Sequence, residues 1–252
     1  MERITSRRNP LVAQIRKLKS DKKARRAAGL LIGEGTKLLD EALNAGASVT
    51  MLVTDGSQFG ELGPEVRQVE VSRDVLVTLC DTKTPQGVLF LAQAPDTCPL
   101  NKLPGQRYLV LDGVQDPGNV GTIWRTADAL GADGLLLVNG CADPFGPKVV
   151  RATMGACFRL PVYEVECAEL IQLLERSGLS LYGTALREDA VDIKTAKLNR
   201  CAVVIGSEGR GFSQSLLDRC EKTLKIPMRQ RCESLNAAIA ASIVLWEMGR
   251  GL

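Results

Sequence analysis

At 252 residues the chain has room for two modest domains, and 45% hydrophobic with 24% charged residues describes an ordinary globular protein. It has no histidine, which excludes His-based triads, imidazole general bases and His-ligated metals. The net charge of +3 is unevenly placed: residues 1–26 carry ten Arg or Lys against Glu2 and Asp21, a net of +8, so the remainder sums to −5.

Within that basic stretch Leu11, Ile15 and Leu18 recur at helical spacing. Residues 1–27 therefore read as an amphipathic helix with a cationic face, suited to a polyphosphate backbone. A solvated surface helix is the bland alternative. The segment Met1–Arg8 lacks the apolar core of a secretory signal, and no apolar run approaches the roughly 18 residues of a membrane span. The eight cysteines form no Cys-x-x-Cys pair and read as small buried apolar residues in a reducing compartment, so a cytoplasmic protein without a metal site is expected.

Leu30–Ile32 reads as a strand, Gly33-Glu34-Gly35 as a turn, and Thr36–Asn44 as a helix with Leu38, Leu39, Ala42 and Leu43 on its apolar face. Strands are expected at 49–53, 66–71 and 88–92, with a helix near 73–80 and a polar hinge at Lys83-Thr84-Pro85-Gln86-Gly87. This alternation implies a small α/β domain over residues 28–94. Residues 95–105, with three prolines, read as a linker. Strands expected near 108–111, 135–138, 160–165, 179–184, 202–205 and 223–226 alternate with helical segments, which favours a mostly parallel sheet covered on both faces over residues 106–252.

Three stretches of this second region carry chemistry. After the strand at 108–111, Asp116-Pro117-Gly118-Asn119-Val120-Gly121 opens a helix; Asn119 is a candidate N-cap, and Arg125 follows on the second turn, where its side chain returns toward the helix mouth. After the strand at 202–205 comes Gly206-Ser207-Glu208-Gly209-Arg210-Gly211, which lacks the spacing and position of a nicotinamide-binding turn. Ile226-Pro227-Met228 and then Ser234-Leu235-Asn236 complete the set, the latter opening a final helix.

In this order the stretches resemble the three motifs of the SpoU-type (TrmH-like) RNA ribose 2′-O-methyltransferases of the SPOUT superfamily, over roughly residues 106–252. The resemblance implies a C-terminal α/β fold with a deep trefoil knot that forms an S-adenosylmethionine pocket beside a two-fold interface. Gly-Glu-Gly-x-x-x-Leu-x-x-Glu-Ala-Leu and Thr-Pro-Gln-Gly-Val resemble, more weakly, the L30e-like RNA-binding domain that often precedes it.

Carried over residue by residue, the resemblance implies donor contacts at Gly206, Ile226 and Leu235, with Met228, Gly209 and Gly211 shaping the pocket. Ile226 and Leu235 alone would read as core. It implies catalytic roles for Arg125, Asn119, Glu208, Ser234 and Asn236. Arg125 either acts as an unusually deprotonated base or, as a guanidinium, orients a phosphate and stabilises developing alkoxide; ordinary arginine chemistry favours the second. Glu208 would hold Arg125 or the substrate, Asn119 would position Arg125 or the ribose, and Ser234 and Asn236 would orient the hydroxyl, although Ser234 fits a plain helix cap equally well. Lys148 and Arg151, near the turn at 143–147, are candidate phosphate contacts. Many relatives have a glycine soon after Ile-Pro-Met; here Arg229-Gln230-Arg231-Cys232 adds positive charge beside the expected pocket.

Ribosomal RNA is the expected substrate, tRNA the alternative, and a non-catalytic RNA-binding protein the rival from another class. Leu235, Ile239, Ile243 and Trp246 give the last helix an apolar stripe, which predicts an isologous homodimer; packing on the chain's own sheet is the alternative.

Overall fold

A computed structural model describes residues 2–57, 59, 62–207, 209, 211–229 and 234–250. The chain divides into two compact units, one of residues 1–95 with 143–158 and one of residues 96–142 with 159–252.

The first unit contains β1 (Glu2–Ile4), α1 (Pro10–Ser20), α2 (Lys22–Ala28), β2 (Leu30–Glu34), α3 (Thr36–Asn44), β3 (Val49–Thr54), β4 (Arg67–Val71), α4 (Arg73–Leu79) and β5 (Val88–Gln93). Its sheet has the order β1-β4-β3-β5-β2, with β1 and β3 parallel to β4 and with β5 antiparallel to both β2 and β3. Gly33 of β2 lies under the Phe90 ring, where a Cβ would sit 2.1 Å from ring carbon Cζ, so only glycine fits.

The basic segment is two helices rather than one, and it is part of this unit rather than an arm. Asp21 breaks the helical run at φ −117, ψ 110, and its carboxylate accepts from the N–H groups of Lys23 and Ala24 to cap α2. Ile4, Leu11, Val12, Ile15 and Leu18 are buried in one core cluster with β3, β4 and α4. Several of the cations have internal partners: Lys19 pairs with Asp81 at 2.7 Å, and the buried Arg25 pairs with Asp143 at 2.6 Å while donating to the carbonyls of Leu18 and Lys19. Arg25 is therefore no candidate for a surface phosphate contact. Asp143 precedes α6 (Pro147–Thr153), which carries Lys148 and Arg151 and packs against β2.

The second unit contains β6 (Arg107–Asp112), α5 (Pro117–Ala129), β7 (Gly134–Val138), β8 (Val162–Glu164), α7 (Cys167–Ser177), β9 (Ser180–Thr184), β10 (Val191–Asp192), β11 (Cys201–Gly206), α8 (Gln214–Leu217), β12 (Lys222–Lys225) and α9 (Ala237–Gly249). The seven-stranded sheet has the order β10-β12-β9-β11-β6-β7-β8, every pairing parallel, as the alternation of strands and helices requires. β6, β7 and β11 are buried nearly end to end, the pattern of strands covered on both faces. The proline-rich stretch is not a free linker. Leu103 is 1% exposed, its N–H donates to Ser177 Oγ, and the carbonyl of Thr97 accepts from the N–H of Glu164.

Candidate functional site

In a parallel sheet every strand delivers its C-terminal end to the same edge, and a crevice opens where the connections diverge to opposite sides. Here the strand after β6 lies on one side of it and β11 on the other, so the ends of β6 and β11 flank such a point. Two cavities open there. The first, of about 430 Å³, is lined by the ends of β9, β11 and β12 and by residues leading into α9; its walls include Gly206, Gly211, Ile226, Met228, Ser234 and Leu235. Five of the six positions expected around the donor thus line one pocket, while Gly209 lines the neighbouring cavity instead. Gly206 is held there by space: a Cβ would lie 2.2 Å from the backbone carbon of Gly211. Ser207 and Gly211 close a tight loop, each donating its N–H to the other's carbonyl at 2.9 and 3.0 Å.

The sequence reading missed one wall of this pocket. Thr184, Ala185, Leu186 and Arg187 follow β9, and Lys225 ends β12. The signal was available, since residues directly after a parallel strand are where such folds bind ligands. Leu186 is 58% exposed, an apolar side chain at the pocket wall that a ligand would cover.

The second cavity, of about 590 Å³, adjoins the first and shares Ser207, Gly211, Phe212 and Ala237 with it. Its floor is polar. Asp112, at the end of β6 and 4% exposed, accepts from Asn139 Nδ2 and from the N–H of Ser213, both at 2.7 Å. Asn139 has φ +53, a left-handed conformation that asparagine tolerates better than most residues.

Asn119 and Asn236, far apart in sequence, are brought together: Asn236 Nδ2 donates to Asn119 Oδ1 at 3.0 Å. Two cap assignments change. Asp116, not Asn119, caps α5, accepting from the N–H of Asn119 at 2.7 Å; Pro117 occupies the first helical position, which identifies its predecessor as the cap. Asn236, not Ser234, caps α9, accepting from the N–H groups of Ala238 and Ile239. Ser234 is exposed and lines the first pocket instead.

Arg125 lies on α5, exposed, and lines neither cavity; no hydrogen bond or ion pair to it is found among the described residues. Glu208 lies outside the described residues, as do Arg210, Gln230, Arg231 and Cys232; Arg229 is exposed. Arg151 Nη1 stands 3.9 Å from Glu34 within the first unit. Burial pushes the thiols of Cys80 and Cys201 up to about 12 and those of Cys141 and Cys220 up to about 11, so none of these is a thiolate nucleophile near neutral pH. Cys98 departs from the expected burial and is exposed. Among the described residues no group of His, Cys, Asp and Glu is placed to hold a metal ion, and no helix is long and apolar enough to cross a membrane.

Residues 106–246 match the SpoU rRNA Methylase family, and residues 9–90 match the MRM3-like substrate binding domain. The chain belongs to the SpoU rRNA methylase family. It is 33% identical over 251 residues to the 23S rRNA (guanosine(2553)-2′-O)-methyltransferase RlmP of Bacillus subtilis (strain 168), covering 98% of this chain and 99% of that one. An AdoMet-bound rRNA methyltransferase from Sinorhizobium meliloti superposes with a TM-score of 0.88 at 33% identity, covering 100% of this chain and 98% of the other. The SpoU methyltransferase AviRb from Streptomyces viridochromogenes, in complex with AdoMet, gives 0.86 at 30% identity, covering 97% and 98%. With that kinship the enzyme class is settled: an RNA 2′-O-methyltransferase whose methyl donor is S-adenosylmethionine.

The first pocket suits that donor. Its lining is mainly apolar, with backbone of strand ends exposed where glycine removes the side chain, as an edge-on purine and a ribose require.

Proposed function

We propose that the chain methylates a ribose 2′-hydroxyl of ribosomal RNA in the cytoplasm, with the 430 Å³ pocket as the donor site. The observation that carries this reading is the convergence of the second and third motifs on that pocket, while Asn119 of the first motif reaches Asn236 of the third. When bound, the donor supplies an electrophilic methyl group on a sulfonium, which leaves as a thioether while the ribose oxygen forms the new bond and loses its proton. Gly206, Gly211, Ile226, Met228 and Leu235 would hold it, and Lys225 offers a charge to its carboxylate end. The trefoil knot implied by kinship is part of this reading.

Arg125 acts in this proposal as an exposed guanidinium that orients a phosphate and stabilises negative charge on the attacking oxygen. Because it lines neither cavity of its own chain, a second copy is the natural source of the arginine that completes each site. α9 supports that: Ile239 and Trp246 are 53% and 63% exposed, large apolar side chains beside buried Ala238, Ala241 and Leu245. We assign this stripe, with Leu235 and Ile243, to an isologous homodimer interface. Exposed cations of α1 and α2, Lys17 and Lys23 among them, are assigned to RNA backbone contact, as are Lys148 and Arg151 of α6.

The test is transfer of labelled methyl from S-adenosylmethionine to unmodified 23S rRNA and to bulk tRNA, followed by mapping of ribose methylation. Transfer to 23S rRNA is expected, since the relatives above are named for ribosomal RNA. Transfer to tRNA alone would move the assignment to the other branch, and transfer to neither, with donor bound, would favour a non-catalytic RNA-binding protein.

A further inference from the structure

Another cavity of the second unit, of about 400 Å³, opens at the edge of the sheet opposite the methyl-transfer crevice. Its walls come from where strands begin: Gln106 and Arg107 enter β6, Asp133 directly precedes β7, and Asn199 stands two residues before β11. Met248, in the last turn of α9, closes one side. Folds of this type place their usual ligands at the other edge, so strand order alone does not explain a site here. We propose that this cavity binds a phosphate group, at a site separate from the methyl-transfer crevice.

The guanidinium of Arg107 is the observation that points to an anion. Its Nη1 is buried without a hydrogen-bond partner, and no carboxylate among the described residues pairs with the group. Arg25 Nε is buried in the same way, but that guanidinium already has Asp143 as its counter-ion. Arg107 therefore keeps a charge that is partly stripped of water and uncompensated, a cost that an incoming anion relieves. Asp133 does not relieve it. Its Oδ2 accepts from the N–H groups of Gln106 and Arg107 at 2.7 and 2.8 Å, and these two donors offset the carboxylate charge. Arg107 Nη2 stands 3.5 Å from where a Cβ on Gly131 would lie, beside the C-terminal end of α5. A helix end carries only a partial negative charge, enough to hold the arginine but not to neutralise it. The remaining donors suit phosphate: a guanidinium takes its oxygens in pairs, and the exposed amides of Gln106 and Asn199 each offer an NH₂ group. Exposed Lys102, Lys197 and Arg200 lie within two residues of lining positions, and Glu247, next to Met248, is paired with Arg250, so the approach is cationic.

The experiment uses the full-length chain and reads binding, so its outcome does not depend on methyl transfer. Inorganic phosphate is titrated by phosphorus NMR line broadening, and a 23S rRNA fragment is titrated over a range of salt concentrations. Wild type is compared with Arg107→Gln and Asn199→Asp. Asn199 is exposed, so Asn199→Asp should leave the melting temperature unchanged while placing a repelling carboxylate at the site. Both variants are expected to weaken phosphate binding by about tenfold or more, with the donor Kd within about twofold of wild type. If the phosphate belongs to RNA, both also lower the log–log salt slope of RNA binding by about one unit, and the RNA displaces inorganic phosphate. If it belongs to a free phosphate compound, the RNA slopes stay equal and phosphate binding alone is lost. Either result supports the site. Phosphate binding and RNA slopes that both substitutions leave unchanged overturn it. So does a lower melting temperature of Arg107→Gln as the only effect seen, since the guanidinium would then serve the end of α5 alone.

Discussion

α1 and α9 both show apolar residues at helical spacing, yet they use them in opposite ways. In α1, Leu11, Ile15 and Leu18 face inward and join the core of the first unit, with cations such as Lys17 outside. In α9 the stripe of Ile239 and Trp246 faces outward, and the helix packs through Ala237, Ala238, Ala241 and Val244. The difference lies in the other face. Where the alternative residues are charged, periodicity identifies the buried side. Where they are small and apolar, it identifies only a helix, and close packing then favours the small side because α5 lies against α9. A large apolar side chain left outside is the residue to explain.

The sharpest break in this comparison comes from putting a charge into each stripe. Ile15→Asp, at a position 1% exposed, should destabilise the first unit by about 3–5 kcal/mol or prevent its folding, measured by chemical denaturation. A loss below about 1 kcal/mol would show that α1 is dispensable to the core. Deleting residues 1–26 is unsuitable as an RNA-binding test for the same reason, since it removes β1 and part of that core.

Arg125→Ala carries the next largest effect. Methyl transfer should fall by about 10²–10³-fold with donor binding and circular dichroism unchanged, because an exposed guanidinium has little to do with stability. A single-turnover rate near wild type would remove Arg125 from the mechanism. Trp246→Glu then tests the outward stripe: light scattering should show monomers with an unchanged circular dichroism spectrum, since this side chain is 63% exposed. An intact protein that is monomeric at micromolar concentration would instead overturn the dimer assignment.

The smallest effect belongs to the outer face of α1 and α2. Lys17→Glu and Lys23→Glu should each lower the salt dependence of RNA binding by about one unit of log–log slope, with stability nearly unaffected. Unchanged slopes would assign these cations to solvent.

How far the sequence could be read follows the same physics. The parallel strands of the second unit were legible because continuous apolar runs between turn residues have few other homes, and the five pocket residues were legible because the motifs carry them. The break at Asp21 was hidden because the apolar spacing of Leu11, Ile15 and Leu18 stops short of it, and only the capping of α2 reveals the new start. Asn236 and Ser234 are both competent caps, and which one serves depends on how the chain enters α9. The Thr184–Arg187 wall carries no special residue type; it is made by strand order alone, which periodicity does not encode. Nor does any local pattern announce that Asp112 and Ser213, a hundred positions apart, share a hydrogen bond.

Asp143–Phe158 belongs to the first unit although β6, α5 and β7 precede it in the chain. A ribosome therefore releases residues 1–95 well before their last structural elements exist, and must translate residues 96–158 first, a delay of about 3–13 s at ordinary elongation rates. During that interval Arg25 lacks Asp143 and β2 lacks α6, so the nascent first unit carries a cation without its carboxylate and an apolar strand missing one of its covering helices. The order in which the polypeptide emerges thus makes completion of the first unit wait on synthesis of residues 96–142 of the second, and chaperone dependence should be greatest for chains stalled between these two points.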